Sequence, residues 1–304
     1  MINRGNYRAD IFRSEKTKTA FLQCLAEACG KTGWRVHAWC VMSNHYHLAI
    51  STPRANLVDG MRWLQGTFAV RFNRLRQERG HLFQGRYKSL IVDPETGLGP
   101  LCHYIHLNPV RAKLRPVAEL GDYPWTSLRW LLKPKLRPSW YEPQPALTHA
   151  GALADTPAGR RKYLQYLSWL AEDEPARKTQ QFAAMSKGWV IGTEGFAKAV
   201  LGDHRELVGQ GRRMAAEMRE ANEALWQDEL NALLSRLKRS PADLMKEGKS
   251  VEWKVALAAT MKERTTATNR WLGDALNMGG LHEVSRKASQ WKANPNQSLV
   301  RKLR

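Results

Sequence analysis

Residues 33–50, GWRVHAWCVMSNHYHLAI, constrain the fold more than any other part of the chain. Val36, Ala38 and Cys40 alternate with Arg35, His37 and Trp39, the period of a strand with two unlike faces. Ser43 and Asn44 supply turn chemistry, and a second short strand follows over residues 45–50. A hairpin alone is not stable in water, so neighbouring elements must cover it. Before it, Ser14 is a helix N-cap, with Ala20, Phe21, Cys24, Leu25 and Ala28 at helical spacing and Gly30 past the expected end. After it, Leu57, Met61, Leu64, Phe68, Phe72 and Leu75 form one face of a long helix that stops before Gly80. Strands interleaved with helices, two of them antiparallel, predict an α+β fold rather than a parallel sheet.

Farther along, LFQGRYKSLIV reads as a loop entering a strand, and residues 101–108 read as a helix stopping near Pro109. Proline disfavours helical geometry at the residue before it, here Asn108. The Pro- and Lys/Arg-rich run KPKLRPSWYEPQP over 133–145 predicts a boundary. Beyond it no strand is expected, and helices are expected over 160–176, 194–201, 212–238 and within 251–290. The expected organisation is therefore a domain over 1–145, a helical connection over 146–215 and a helical region over 216–304. In the last region, one helix ending near Met278, the Gly279-Gly280 turn and a second helix carrying Ser285, Arg286 and Lys287 fit a DNA-binding helix-turn-helix. Arg301, Lys302 and Arg304 are expected to form a flexible basic tail.

Charge points to the partner. The 304 residues contain 48 Lys+Arg against 28 Asp+Glu, a formal net charge of +20, and both halves are cationic. Such an excess suits a protein that follows a phosphate backbone. No apolar run approaches the roughly 20 residues needed to span a bilayer, and MINRGNYRAD lacks a signal-peptide core. The expected location is the cytoplasm, associated with the nucleoid and without membrane contact. Cys24, Cys29, Cys40 and Cys102 are scattered and lack paired CxxC spacing, which excludes a zinc ribbon and a disulfide framework.

His45 and His47 lie two apart on a strand, so both imidazoles share a face while Tyr46 and Leu48 point into a core. Two imidazoles begin a divalent-metal site that lacks a third ligand; the alternative is a pair of half-exposed strand histidines. Tyr104 and Asn108 are four apart on one helix face. A phenol is a poor nucleophile unless a nearby cation lowers its pKa or positions its target, and otherwise Tyr104 is a packing residue. His37, His103 and His106 are rival ligands. Candidate DNA contacts are Arg86 and Lys88 beside Gly85, Arg111, and Arg71 on the arginine-rich outer side of the long helix. Each has the alternative of a solvated surface charge. Tyr7, Tyr87 and Trp125 are candidates for stacking on unpaired bases, Trp125 more readily for packing.

The ordered motifs SNHYHLAI, ANLVDGMRWLQGTFAVRFNRL, HLFQGRYKSLIVD, YIHLNPVRAKL and YPWTSL resemble the tyrosine HUH transposases of the IS200-like superfamily, and more narrowly the REP-associated tyrosine transposases. The resemblance spans about residues 2–145. It implies a ferredoxin-like antiparallel sheet with the His-x-His strand at its centre and helices on one face. It also implies single-stranded DNA nicking and joining through a 5′-phosphotyrosine, beside hairpin (REP-like) sequences. His45 and His47 match the paired metal ligands, Tyr104 the nucleophile and Asn108 the third ligand, with Mg²⁺ or Mn²⁺ as the ion. Two departures are the hydroxyl of Tyr46 between the histidines and the start at Met1 inside the first-strand motif, which shortens that strand or places the true start upstream. The partners implied are single-stranded and hairpin DNA, with monomer and dimer both open. Two competing readings are a catalytically inactive DNA-binding regulator acting through the helix-turn-helix, and a metal nuclease that activates water.

Overall fold

The computed structural model describes residues 1–180, 182, 185–209, 219–265 and 267–303. The chain divides into two compact units, residues 1–198 and 199–304.

The first unit is built on a three-stranded antiparallel sheet, β1 (Ile2–Arg4), β2 (Arg35–Val41) and β3 (His45–Ser51), in the order β1-β3-β2. The His-x-His strand is therefore central. β1 pairs Ile2 with His47 and Arg4 with His45, and β2 pairs Cys40 with His47 and Val41 with Tyr46. The register of β2 shifts between Val36 and Ala38, at His37. β1 is three residues long.

Helices cover both faces of this sheet, not one as expected. On one face Trp39, Val41, Tyr46 and Leu48 pack against Phe21 and Leu25 of α1 (Glu15–Thr32) and Leu64 and Phe68 of α2 (Leu57–Arg76). Rings of Phe12, Phe21, Tyr46 and Phe68 meet at centroid distances of 4.6–6.3 Å. The opposite face presents Ala38, Cys40 and Ala49, whose small side chains admit α3 (Leu98–His106). The cause lies in the alternation: residues on both sides of β2 and β3 are buried, so both sides need a cover.

Ser14 caps α1 as expected, its Oγ accepting from the Thr17 amide at 3.2 Å. The helix runs through Gly30 and stops at Gly33, whose φ of 74° supplies the left-handed C-terminal conformation. After α3, Leu107 separates it from a single turn, α4 (Asn108–Arg111), in which Pro109 occupies the first turn, where its missing N–H costs nothing.

Residues expected to lie beyond a boundary at 145 complete this same unit. After α5 (Leu128–Leu132) come α6 (Gln144–His149), α7 (Pro157–Glu172) and α8 (Glu174–Thr179). Leu147, Tyr163, Leu167, Leu170, Phe182 and Met185 join the core around α3. A strand not expected there, β5 (Val190–Ile191), pairs in parallel with β4 (Ile91–Val92) just before α3. A two-residue strand is too short to show a period, which is why the sequence concealed β5, whereas a strand after LFQGRYKS was expected.

α9 (Glu194–Gly209) crosses the division between the units; residues 212–218 of the expected 212–238 helix lie outside the described residues. In the second unit, α10 (Arg219–Arg236), α11 (Pro241–Lys246), α12 (Glu252–Arg264), α13 (Asn269–Ala275), α14 (Leu281–Ala293) and α15 (Gln297–Leu303) enclose a core of Leu230, Leu233, Leu257, Leu272 and Val284. Arg301 and Lys302 sit in α15 instead of a flexible tail, because Leu303 is buried and its carbonyl accepts from Arg264 at 2.6 Å. Arg304 lies outside the described residues. No described helix is long and apolar enough to cross a membrane.

Candidate active site

Strand period and helix position bring three of the expected residues together. His45 and His47 project from one face of β3 with ring centroids 5.0 Å apart and planes at 78°. Tyr104, on α3, meets His47 edge-on at 5.7 Å. The phenol ring and His47 are each about 5% exposed, while His45 is half-buried.

The local electrostatics favour neutral imidazoles. Burial, and secondarily the charge of Arg4, hold His45 below the ordinary imidazole pKa. Burial holds His47 well below it, helped by His45, the amino terminus and Arg111. Neutral rings keep lone pairs available for a metal ion. Asn44 adds direction: His45 Nδ1 lies 2.7 Å from Asn44 Oδ1, so the Nδ1–H donates there and the Nε2 lone pair points elsewhere. This carboxamide was read from the sequence only as a turn residue.

Asn108 is joined to the site through the backbone. Its Nδ2 donates to the Tyr104 carbonyl at 3.0 Å, spanning the break between α3 and α4, and leaves Oδ1 as the free acceptor of the amide. Among the described residues no cluster of three His, Cys, Asp or Glu stands ready for a metal, so a third protein ligand beside the two imidazoles would come from another residue type, for which Asn108 offers an amide oxygen. Two neutral imidazoles and an amide oxygen suit a divalent ion that keeps water ligands.

Arg111 turns back over the ring of Tyr104, its Cζ 4.4 Å from the ring centroid, a cation–π contact. On another side Phe182 meets Tyr104 edge-on at 5.6 Å. Nothing in the sequence signalled Phe182, which is far along the chain and follows a different helix.

The back of α3 is fixed by a buried polar chain. His103 Nδ1 and His106 Nδ1 lie 3.0 and 2.8 Å from the Tyr163 hydroxyl. His103 Nε2 lies 3.1 Å from His149 Nδ1, and His106 Nε2 lies 2.9 Å from Ser127 Oγ. Ser127 Oγ also accepts the Trp39 amide at 2.9 Å. These contacts remove His103 and His106 as rival metal ligands: each imidazole already uses both nitrogens inside the core. His37 is likewise committed, with Nε2 2.7 Å from Ser51 Oγ and Nδ1 3.3 Å from the Glu142 carbonyl.

An open groove of about 740 Å³ runs beside His45, lined by Arg4, Arg8, Arg86 and Lys88 together with Asn44 and Ser186. Arg86 and Lys88 thus line the groove at His45. Arg71 does not: it forms a two-pronged ion pair with Glu27 at 2.8 and 2.9 Å, tying α2 to α1. In the second unit, α13 and α14 flank the expected glycine turn. There Arg286 and Lys287 both pair with Glu283, at 3.2 and 3.0 Å, and Ser285 is half-buried.

Residues 1–108 match the model of the family described as "Transposase IS200 like". Among solved structures, one described as "Structure of the REP associates tyrosine transposase bound to a REP hairpin" is 14% identical, covers 46% of this chain and 81% of that one, and gives a TM-score of 0.35. No curated protein matches.

Proposed function

We propose that the protein is a tyrosine transposase that nicks and rejoins single-stranded DNA beside hairpins, a reading supported by the match of residues 1–108 to the family model described as "Transposase IS200 like". The observation that carries this reading is the meeting of Tyr104 with the His45–His47 pair, 5.7 Å from the nearer ring. A water-activating nuclease has no use for a phenol held there.

His45 and His47, with Asn108 as third ligand, would hold Mg²⁺ or Mn²⁺; when bound, such an ion neutralises charge on a non-bridging phosphate oxygen. The protein's own groups do the rest. Arg4, Arg86 and Lys88 receive the flanking phosphates in the groove beside His45. Arg111, stacked on the ring, fixes the phenol and adds positive charge where the anionic phosphate arrives. Tyr104 Oη attacks phosphorus, the bond to the 3′ oxygen breaks, and the 5′ phosphate stays on the tyrosine. Because the new bond is again a phosphodiester, a DNA hydroxyl reverses the step and joins strands without ATP. α13 and α14 act as a helix-turn-helix on duplex or hairpin stem, with Arg286 contacting phosphate.

The test is incubation of the protein with labelled, hairpin-bearing single-stranded DNA and Mg²⁺, followed by denaturing electrophoresis. A labelled band at protein mass that EDTA prevents is expected. Cleavage without any such band would support the water-activating nuclease, and DNA binding with no cleavage would support the inactive regulator.

A further inference from the structure

A second groove, of about 810 Å³, lies on the far side of one tight turn from the groove at His45. The turn is Asn6–Arg8: Arg8 lines the groove at His45, while Asn6 and Tyr7 line the second. Around the second groove stand Arg13, Arg76 and Arg79 with Asn73 and His81; the acidic members are Asp10 and Glu78. Glu78 is already paired with Arg76 at 3.3 Å, and among the described residues no ion pair engages Arg8, Arg13 or Arg79.

The turn is built to hold its side chains outward. Tyr7 and Arg8 both adopt left-handed backbone conformations, with φ of 51° and 61°, which non-glycine residues rarely do. The conformation is fixed by Arg8 N to the Gly5 carbonyl at 3.0 Å, Ala9 N to the Asn6 carbonyl at 2.9 Å and Tyr7 N to Asn6 Oδ1 at 3.1 Å. Gly5 is required for it, since a Cβ there would come within 2.3 Å of the Ala9 carbonyl oxygen. The result is a ring that is 92% exposed, beside a basic groove. Strain maintained by so many bonds to present an apolar ring to water indicates a ligand for that ring.

The turn is also wired to the candidate metal site. Gly5 N donates to the Asn44 carbonyl at 2.7 Å, and Asn44 Nδ2 donates to the Arg8 carbonyl at 3.4 Å. Asn44 is the residue whose Oδ1 orients His45. A DNA strand lying in the groove at His45 would border this turn, since Arg8 lines that groove.

We propose that Tyr7 is the stacking platform for an unpaired base of the DNA strand leaving the groove at His45, and that Arg13 and Arg79 receive that strand's phosphates in the second groove. A flat exposed ring selects single strands, because bases in a duplex are already stacked on one another. This subsite rests on the reading of the chain as a single-strand-processing enzyme.

The test uses the full chain in EDTA and measures binding to two hairpin oligonucleotides, one with a single-stranded tail and one blunt. Tyr7→Asn is the informative change, since asparagine tolerates the left-handed turn and removes the ring. It is expected to weaken binding of the tailed hairpin about tenfold, leave the blunt hairpin unchanged, and be rescued by Tyr7→Trp. Arg13→Gln and Arg79→Gln should each lower the salt-dependence slope for the tailed hairpin by about 0.7. If Tyr7→Asn binds the tailed hairpin as the parent does, or weakens both probes equally, the subsite is wrong while the enzymatic reading stands. If the parent protein does not prefer the tailed hairpin at all, both fall.

Discussion

Replacing Tyr163 by Phe removes one oxygen from the centre of the first unit and leaves the ring in place. That oxygen bridges His103 and His106, the two imidazoles on the back of the helix that carries Tyr104. A phenol has one proton, so it donates to one Nδ1 and accepts from the other, and the two imidazoles must be opposite tautomers. The order then runs outward to His149 and inward to Ser127, whichever direction the protons take. Both imidazoles are fully buried, so Tyr163→Phe strands two nitrogens that no water reaches. An unsatisfied buried polar group costs roughly 1–3 kcal/mol, so about 3 kcal/mol is expected for the pair, allowing for some relaxation. For a unit of this size each kcal/mol is worth roughly 2–4 °C, so the first unit's Tm should fall by about 6–12 °C. Differential scanning calorimetry on the full chain measures it, and covalent-adduct formation well below the melting range shows whether α3 has also shifted. A Tm equal to the parent's would refute the bridging role of the hydroxyl.

Three further perturbations follow from the same geometry. Arg111→Ala should slow adduct formation about tenfold or more while hairpin binding changes little, because the guanidinium lies on the Tyr104 ring; equal losses in both would make it a simple DNA contact. Acidification should destabilise the first unit, because burial holds His103 well below and His106 at about 3, against an ordinary value near 6.5. Their folded pKa values are depressed, so the unfolded chain binds more protons, and the stability present above about pH 6.5 is lost progressively as pH falls toward 3; urea midpoints at pH 7.5, 6 and 5 that do not decline would contradict this. Lys254→Met should destabilise the second unit by about 1–3 kcal/mol, because the fully buried Nζ donates to the carbonyls of Leu244 and Glu247 at 2.6 and 2.9 Å, satisfying the end of α11. Urea unfolding followed by hydrogen exchange of the α11 and α12 amides reads it, with an unchanged midpoint as the contrary result.

Much of the layout of the candidate site was legible because it is written in short periods. The alternation in residues 33–50 announced the hairpin and put His45 and His47 on one face, and the Ser14 cap and the stripe through α2 announced their helices. Residues that act across long distances in the chain were not legible. Tyr163 and Phe182 reach α3 from about 60 and 80 residues away, and no local pattern marks a side chain for a partner so remote. The same blindness placed a boundary near 145, because a run of prolines and lysines looks like a linker whether or not the following helices fold back. The partner of Arg71 was hidden for a related reason: a helix face rich in arginine looks free until Glu27 of another helix is seen to pair with it. Gly30 reads as the end of α1, yet of the two glycines it is Gly33 that has the left-handed backbone that ends the helix.

The account stands on Tyr104 as the atom that bonds to DNA. Digestion of the denatured protein–DNA adduct with nuclease and protease, followed by mass spectrometry, assigns the modified residue directly. A nucleotide remnant on the peptide containing Tyr104, absent when Tyr104→Phe is used, is the expected result; a remnant on any other residue, or an undiminished adduct with Tyr104→Phe, contradicts it.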